Sequence, residues 1–145
     1  MESNTIRNAS NFGISVTGNS FLVLLGNEIT NNRSGIAATF GAGIRLGVRL
    51  FTDDPTPNVI ANNAGSGMLG GIGVLIVDNS NASILGGNRI LGNNIGVVVA
   101  QSGHAQVAGN EITGNQIGIF TNSNGSLLLP FAENPNPSSR RSTPG

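Results

Sequence analysis

The sequence predicts an all-β solenoid, a parallel β-helix of about five coils with three short strands in each. Three observations predict it. First, a phrase of the form Asn-x-Ile-x-x-Asn, followed shortly by Gly-Ile or Gly-Val, occurs five times. The copies read N-T-I-R-N-A at Asn4, N-E-I-T-N-N at Asn27, N-V-I-A-N-N at Asn58, N-R-I-L-G-N at Asn88 and N-E-I-T-G-N at Asn110. Second, the lead Asn residues are 23, 31, 30 and 22 positions apart, so two coils are lengthened by eight or nine residues over a period in the low twenties. A fixed period of that size marks a repeat architecture. Third, only 10% of the 145 residues are charged, while there are 22 Gly and 21 Asn. The usual charged share is about a quarter. Stacked coils explain the shortfall, because the side chains of each coil meet protein above and below.

The coil from Asn88 to Gly109 shows how each element arises. Ile90 stands two residues after the lead Asn, a strand-like offset that puts both on one face. Gly92, Asn93 and Asn94 follow as a turn, since Gly and Asn tolerate positive φ. Val97 and Val99 restart the alternation inward and leave Val98 outward; Gln101 to His104 form a second turn, and Val107 belongs to the third inward strand. A helix is excluded, because Gly and Asn recur every few residues and no 3.6 period survives.

Taken in chain order, the copies predict three inward columns. Ile6, Ile29, Ile60, Ile90 and Ile112 form the first, Ile14, Ile44, Ile72, Val97 and Ile119 the second, and Leu24, Leu85 and Val107 the third. Parallel strands about 4.8 Å apart stack such residues over one another. The lead residues Asn27, Asn58, Asn88 and Asn110 then stack as an asparagine ladder, each side-chain amide bonding to its neighbours. Residues 1–129 read as the solenoid, with a core about 24 Å long at the strand spacing. Residues 130–145, with four Pro and a Ser/Arg cluster, cannot pair in a sheet and read as a flexible tail.

These phrases and columns resemble the right-handed parallel β-helix repeat of the pectate-lyase-like superfamily. That superfamily includes polysaccharide lyases, polygalacturonases, alginate epimerases and NosD-like sugar-binding and copper-delivery repeats. The resemblance implies a right-handed parallel β-helix, a polysaccharide groove beside one sheet and a secreted or cell-surface setting. It does not imply one activity, since repeats of this kind carry many functions. The start M-E-S-N-T-I-R-N lacks the basic and apolar regions of a signal peptide.

Candidate groove residues come from the two long coils. Asn32 precedes R-S-G-I-A-A-T-F-G-A and Asn63 precedes A-G-S-G-M-L-G, which read as matched insertions before strands restarting at Ile44 and Ile72. The outward residues beside that wall are Ser15, Arg45 with Arg49, Gly73 with Leu75, Val98 and Phe120. Arg45 and Arg49 suit a uronate carboxylate, which Arg binds by paired hydrogen bonds. Asp53 and Asp54, in F-T-D-D-P-T-P, and Asp78 on the next coil are candidates for a carboxylate group; turn-capping is their ordinary role. Together Arg45, Arg49, Asp53, Asp54, Asp78 and Phe120 form the candidate glycan-binding set.

The same inventory limits catalysis, and no catalytic residue is assigned. A calcium-dependent lyase needs several carboxylates on one ion, and a hydrolase needs a carboxylate pair across the scissile bond. Glu28 and Glu111 read as outward residues, coils apart. His104 is the only His; in S-G-H-A the second Gly of a polygalacturonase G-H-G motif is Ala105 and the Asp-Asp pair lies two coils away, and one His does not build a His-rich copper site. The chain has no Trp or Tyr to stack on a sugar, and of its six Phe only Phe40, Phe51 and Phe120 read as lining the groove side. With no Cys there is no thiolate site, and with seven acids, seven Arg and no Lys there is no footprint for nucleic acid or an anionic membrane. No apolar run is long enough to span a bilayer.

The expectation is therefore a non-catalytic β-solenoid segment, a scaffold or glycan-contacting module of a larger carbohydrate-active or cell-surface protein. The alternative is a lyase, hydrolase or epimerase acting on a polyuronate beside the long turns. No cofactor is expected, with Ca2+ entering only under the lyase alternative. A polysaccharide is the expected partner. Self-association through the coil ends, or continuation in a longer solenoid, is expected too, because an open coil leaves unpaired strand groups over apolar Ile and Val. Leu127 to Leu129 at one end and Met1 to Thr5 at the other cover those ends only in part.

Overall fold

The computed structural model describes residues 1–52 and 54–129. Asp53 and the predicted tail, residues 130–145, lie outside the described residues. Each coil contributes one strand to each of three parallel five-stranded sheets. The first sheet holds β1 (Thr5–Arg7), β4 (Glu28–Thr30), β7 (Val59–Ala61), β10 (Arg89–Leu91) and β13 (Glu111–Thr113). The second holds β2 (Phe12–Thr17), β5 (Ser34–Thr39), β8 (Ile72–Ile76), β11 (Ile95–Val99) and β14 (Ile117–Thr121). The third holds β3 (Phe21–Leu24), β6 (Gly43–Leu46), β9 (Asn81–Ile84), β12 (His104–Val107) and β15 (Ser126–Leu128). The described residues thus form a parallel β-helix of five coils.

The first column is as the repeats predict. Ile6, Ile29, Ile60, Ile90 and Ile112 pair in register, and the middle three are fully buried. The second column differs in two coils. It runs Ile14, Ile36, Val74, Val97 and Ile119, so Ile36 takes the place expected for Ile44, and Val74 that expected for Ile72. Ile44 sits instead in the third sheet, between Leu22 and Ala82. Ile72 packs with Ala37, Leu75 and Val98 in a separate apolar cluster. The third column is Leu24, Leu46, Ile84 and Val107, with Ile84 rather than Leu85 inward.

The cause is where the extra residues sit. The stretch after Asn32 is not an insertion but strand β5, whose Gly35-Ile36 is the repeat's own Gly-Ile phrase. The extra length of that coil falls later, between Leu46 and Asn58, where Val48 and Pro55 form an isolated antiparallel bridge. In the next coil the extra residues do lie between Asn63 and β8. The two insertions therefore occupy different corners of the triangle, and they do not build one wall.

The Gly of the Gly-Ile phrase is required by close packing. A Cβ on Gly35 would stand 2.4 Å from Gly73 O and 3.0 Å from Ile60 Cγ2; one on Gly96 would stand 2.5 Å from Gly118 O and 3.0 Å from Ile112 Cγ2. The bare backbone lets each coil bend against the carbonyl oxygen and Ile of the next.

Two asparagine ladders flank the first sheet. In the expected one, Asn27 Oδ1 accepts from the backbone N–H and Nδ2 of Asn4, Asn58 Oδ1 from those of Asn27, Asn88 Oδ1 from those of Asn58, and Asn110 Oδ1 from those of Asn88, all at 2.8–3.1 Å. A second ladder runs through the last Asn of the phrase. Asn32, Asn63, Asn93 and Asn115 repeat the same paired geometry at 2.9–3.1 Å, and in the first coil Ala9 donates its N–H to Asn32 Oδ1 at 3.0 Å. Asn93, expected as a turn residue, is one of its rungs. Asn27, Asn32, Asn58, Asn63, Asn88 and Asn93 are all buried, yet no buried side-chain nitrogen or oxygen among the described residues lacks a partner.

Candidate functional site

The corrected register splits the expected groove floor between two sheets. On the outer face of the second sheet, Ser15, Ala37, Leu75, Val98 and Phe120 share one row, so Ala37 stands where Arg45 was expected. Ala37, Leu75 and Val98 are buried in the cluster with Ile72 and Val77, and Phe120 at the row's end is part-exposed. That face is apolar, the character of a packing surface.

Arg45 belongs to β6 in the third sheet, where its Nε donates to the Val48 carbonyl at 3.0 Å. Arg49 lies beyond β6 and forms an ion pair with Glu2. Asp54 lies in the long loop between β6 and β7; its N–H reaches Thr52 Oγ1 at 3.5 Å, and its carbonyl accepts from Arg49 N at 3.4 Å. Asp78 sits at another corner, between β8 and β9, with φ 53°, and its carbonyl accepts from Gly41 N at 2.9 Å. Asp54 and Asp78 are thus not brought to one place, and Asp53 of the candidate glycan-binding set lies outside the described residues. Glu111 pairs with Arg89 on the neighbouring strand at 2.9 Å, both half-exposed.

A different face gathers polar side chains. The outer surface of the third sheet forms a shallow open groove of about 540 Å³. Alternation along its strands produces two outward rows. Phe21, Gly43, Asn81, His104 and Ser126 stand in register in one; Val23, Arg45, Ser83, Gln106 and Leu128 form the other. Inward residues between them, such as Ile44, Ala82 and Ala105, anchor the strands in the core. Side chains at successive coils follow the strand spacing, so from β9 to β15 polar side chains recur about every 4.8 Å along the solenoid axis, while β3 presents Phe21 and β6 Gly43 in that row. Among the described residues no carboxylate lines it.

Sequence reasoning missed this face because its residues are ordinary taken singly. Asn81, Ser83, His104 and Gln106 fit no motif, and only the pairing of β9 with β12 brings them together. The third column carried the signal, since residues alternating with Ile84 and Val107 must point outward.

Metal-ligating side chains are sparse. Among the described residues no three His, Cys, Asp or Glu come together. His104 stands among Asn81, Gln106 and Ser126, while Met68 is almost fully exposed and Met1 half-exposed.

Comparison of the sequence with curated proteins finds no match, and comparison with solved structures finds none. A family model described as "Periplasmic copper-binding protein (NosD)" matches residues 1–129, all five coils of the solenoid. The chain therefore belongs to the NosD family of parallel β-helix repeat proteins.

Proposed function

We propose that this chain is a non-catalytic binding module that contacts a glycan along the outer face of its third sheet. The groove carries the reading. It presents uncharged hydrogen-bonding side chains, Asn81, Ser83, Gln106 and Ser126 with His104, at regular spacing on a rigid scaffold. A polyhydroxylated chain laid along the axis would meet donors and acceptors on each of the last three coils. The fully bonded Asn ladders flanking the first sheet hold the coils at fixed spacing, so little ordering accompanies binding.

Catalysis has little support in the same groove. The acid pair of a hydrolase and the carboxylate cluster of a calcium-dependent lyase both require Asp or Glu, and none of the described residues lining this groove is one. The family description names copper, and the residues present do not fit a copper site. Such sites gather imidazole, thiolate or thioether ligands, whereas His104 is the sole imidazole of the chain and neither Met1 nor Met68 lines its groove. The scaffold is shared with the family, and we assign this chain no metal step. The family description also supports a setting outside the cytoplasm.

The test is a glycan array spanning neutral and uronate polymers, paired with incubation on polygalacturonate and alginate in the presence of calcium. Binding without product is the expected result. Release of unsaturated ends, absorbing in the near ultraviolet, would instead identify a polyuronate lyase.

A further inference from the structure

We infer that Phe21, laid over Gly43 at one end of the groove, is a specificity-determining platform on which an uncharged sugar ring stacks. The inference rests on the glycan-binding reading and names the chemistry it selects. Gly43 stands in register between Phe21 and Asn81. A Cβ at Gly43 would fall 2.7 Å from Phe21 Cδ2 and 3.3 Å from Cε2, so the ring occupies the space a side chain on the next strand would fill. The ring therefore lies against the sheet, yet the residue remains 59% exposed in the groove.

A second aromatic at the same corner points the same way. Every coil turns from the second sheet into the third through two consecutive left-handed residues: Gly18–Asn19, Phe40–Gly41, Asp78–Asn79, Gln101–Ser102 and Ser123–Asn124. Gly, Asn and Asp suit that conformation; a bulky aromatic does not. Phe40 nonetheless holds φ 55° there and is 68% exposed, so burial does not offset the strain. Its carbonyl accepts from the N–H of Asn19, a groove residue, at 3.3 Å. Phe21 thus lines the groove, and Phe40 stands exposed at the corner next to its lining residue Gly41.

The charge distribution selects an uncharged ligand. The guanidinium of Arg49 is paired with Glu2, and among the described residues that line the groove there is no Arg, Asp or Glu. An apolar sugar face on Phe21, with hydroxyls on Asn81 and its neighbours, matches what the groove offers.

The experiment titrates the full chain by calorimetry with cello-, xylo- and manno-oligosaccharides and with galacturonate and mannuronate oligomers, at low and high salt. A neutral oligosaccharide is expected to bind with no salt dependence. Phe21→Ala is expected to weaken it roughly tenfold, and Phe21→Trp to preserve it, the scale of an aromatic stacking contact. Thermal unfolding of Phe21→Ala should match the parent, because the ring is exposed. Unchanged neutral-sugar affinity in Phe21→Ala overturns the platform, as does tighter, salt-sensitive binding of the uronates; both leave the glycan-binding reading standing. Absence of binding by every oligosaccharide overturns that reading and the platform with it.

Discussion

Replacing Asn58 by Ala tests whether the ladders hold the solenoid together. Asn58 is fully buried at the middle of the first ladder. Its Oδ1 accepts from Asn27 N at 2.9 Å and Asn27 Nδ2 at 3.1 Å; its Nδ2 donates to Leu24 O at 2.8 Å and Asn88 Oδ1 at 2.9 Å. Three of these partners keep another bond after truncation. Leu24 O still accepts from Gly47 N, Asn88 Oδ1 from Asn58 N, and Asn27 Nδ2 still reaches Met1 O. The Asn27 N–H is left orphaned in the interior. Four net hydrogen bonds at about 1 kcal/mol each, one leaving a buried donor unpaired, predict a loss of about 3–5 kcal/mol. That is a large part of the roughly 5–15 kcal/mol that usually separates folded from unfolded chains. Asn4→Ala is the control. It removes bonds to Asn27 Oδ1 and Glu2 O at an exposed position, and Asn27 Oδ1 keeps the Asn4 N–H, so the loss is below about 1 kcal/mol. Denaturant unfolding followed by far-ultraviolet circular dichroism measures both. Equal losses in the two variants would refute the ladder's role. Asn58→Asp sharpens the comparison, because it buries a carboxylate beside the carbonyl oxygens of Leu24 and Asn88. Burial favours the protonated acid, so this variant should be more destabilised at neutral pH than in mild acid.

Four further outcomes are expected. Gly35→Ala should cost about 3 kcal/mol or more in denaturant unfolding, since its methyl would fall 2.4 Å from the Gly73 carbonyl oxygen of the next coil and force backbone to move. Deleting residues 48–56 together with Pro57→Gly brings Leu46 to the spacing from Asn58 that Leu24 has from Asn27, with Gly in the positive-φ place that Gly26 holds before Asn27, and should leave the far-ultraviolet spectrum unchanged; loss of that spectrum would contradict the placement of the insertion. Breaking the Arg49–Glu2 pair, whose side chains are 42% and 46% exposed, should cost less than about 1 kcal/mol, and less still in high salt. Among the described residues the last coil leaves Ile112 and Ile119 partly exposed and Leu129 half-exposed, so light scattering across a concentration series should show self-association, and a monomer throughout would count against it.

The parts of the fold legible in the sequence are those whose residue type admits one role. The Ile column could be read because Ile29, Ile60 and Ile90 are large, apolar and unvarying. The lead Asn ladder could be read because each Asn precedes that Ile by the same two positions. The second ladder escaped although it lies in the same phrase. Asn93 follows Gly92 and precedes Asn94, and Asn beside Gly is the ordinary chemistry of a turn. Only the bonds from Asn63 and to Asn115 distinguish a ladder rung from a turn residue.

The second column failed in the long coils for a related reason. The coil after Asn27 contains two Gly-Ile pairs, Gly35-Ile36 and Gly43-Ile44, and both are buried strand starts, one in each of two sheets. Sequence spacing cannot rank them, because a strand's alternation has a period of two and a whole strand was passed over as loop. That one displacement moved Arg45 onto the wrong sheet and joined it to Phe120 in a floor that does not exist. The groove of the third sheet could not emerge until Asn81, His104 and Ser126 were known to stand in register.

Backbone amide resonances followed during titration with a neutral oligosaccharide test the central claim most directly. If the third sheet is the ligand face, shifts should concentrate in β3, β9, β12 and β15, at Phe21, Asn81, His104 and Ser126, with the first sheet and its ladders unmoved. Shifts confined to β8, β11 and β14, or to the open end of the last coil, would contradict it.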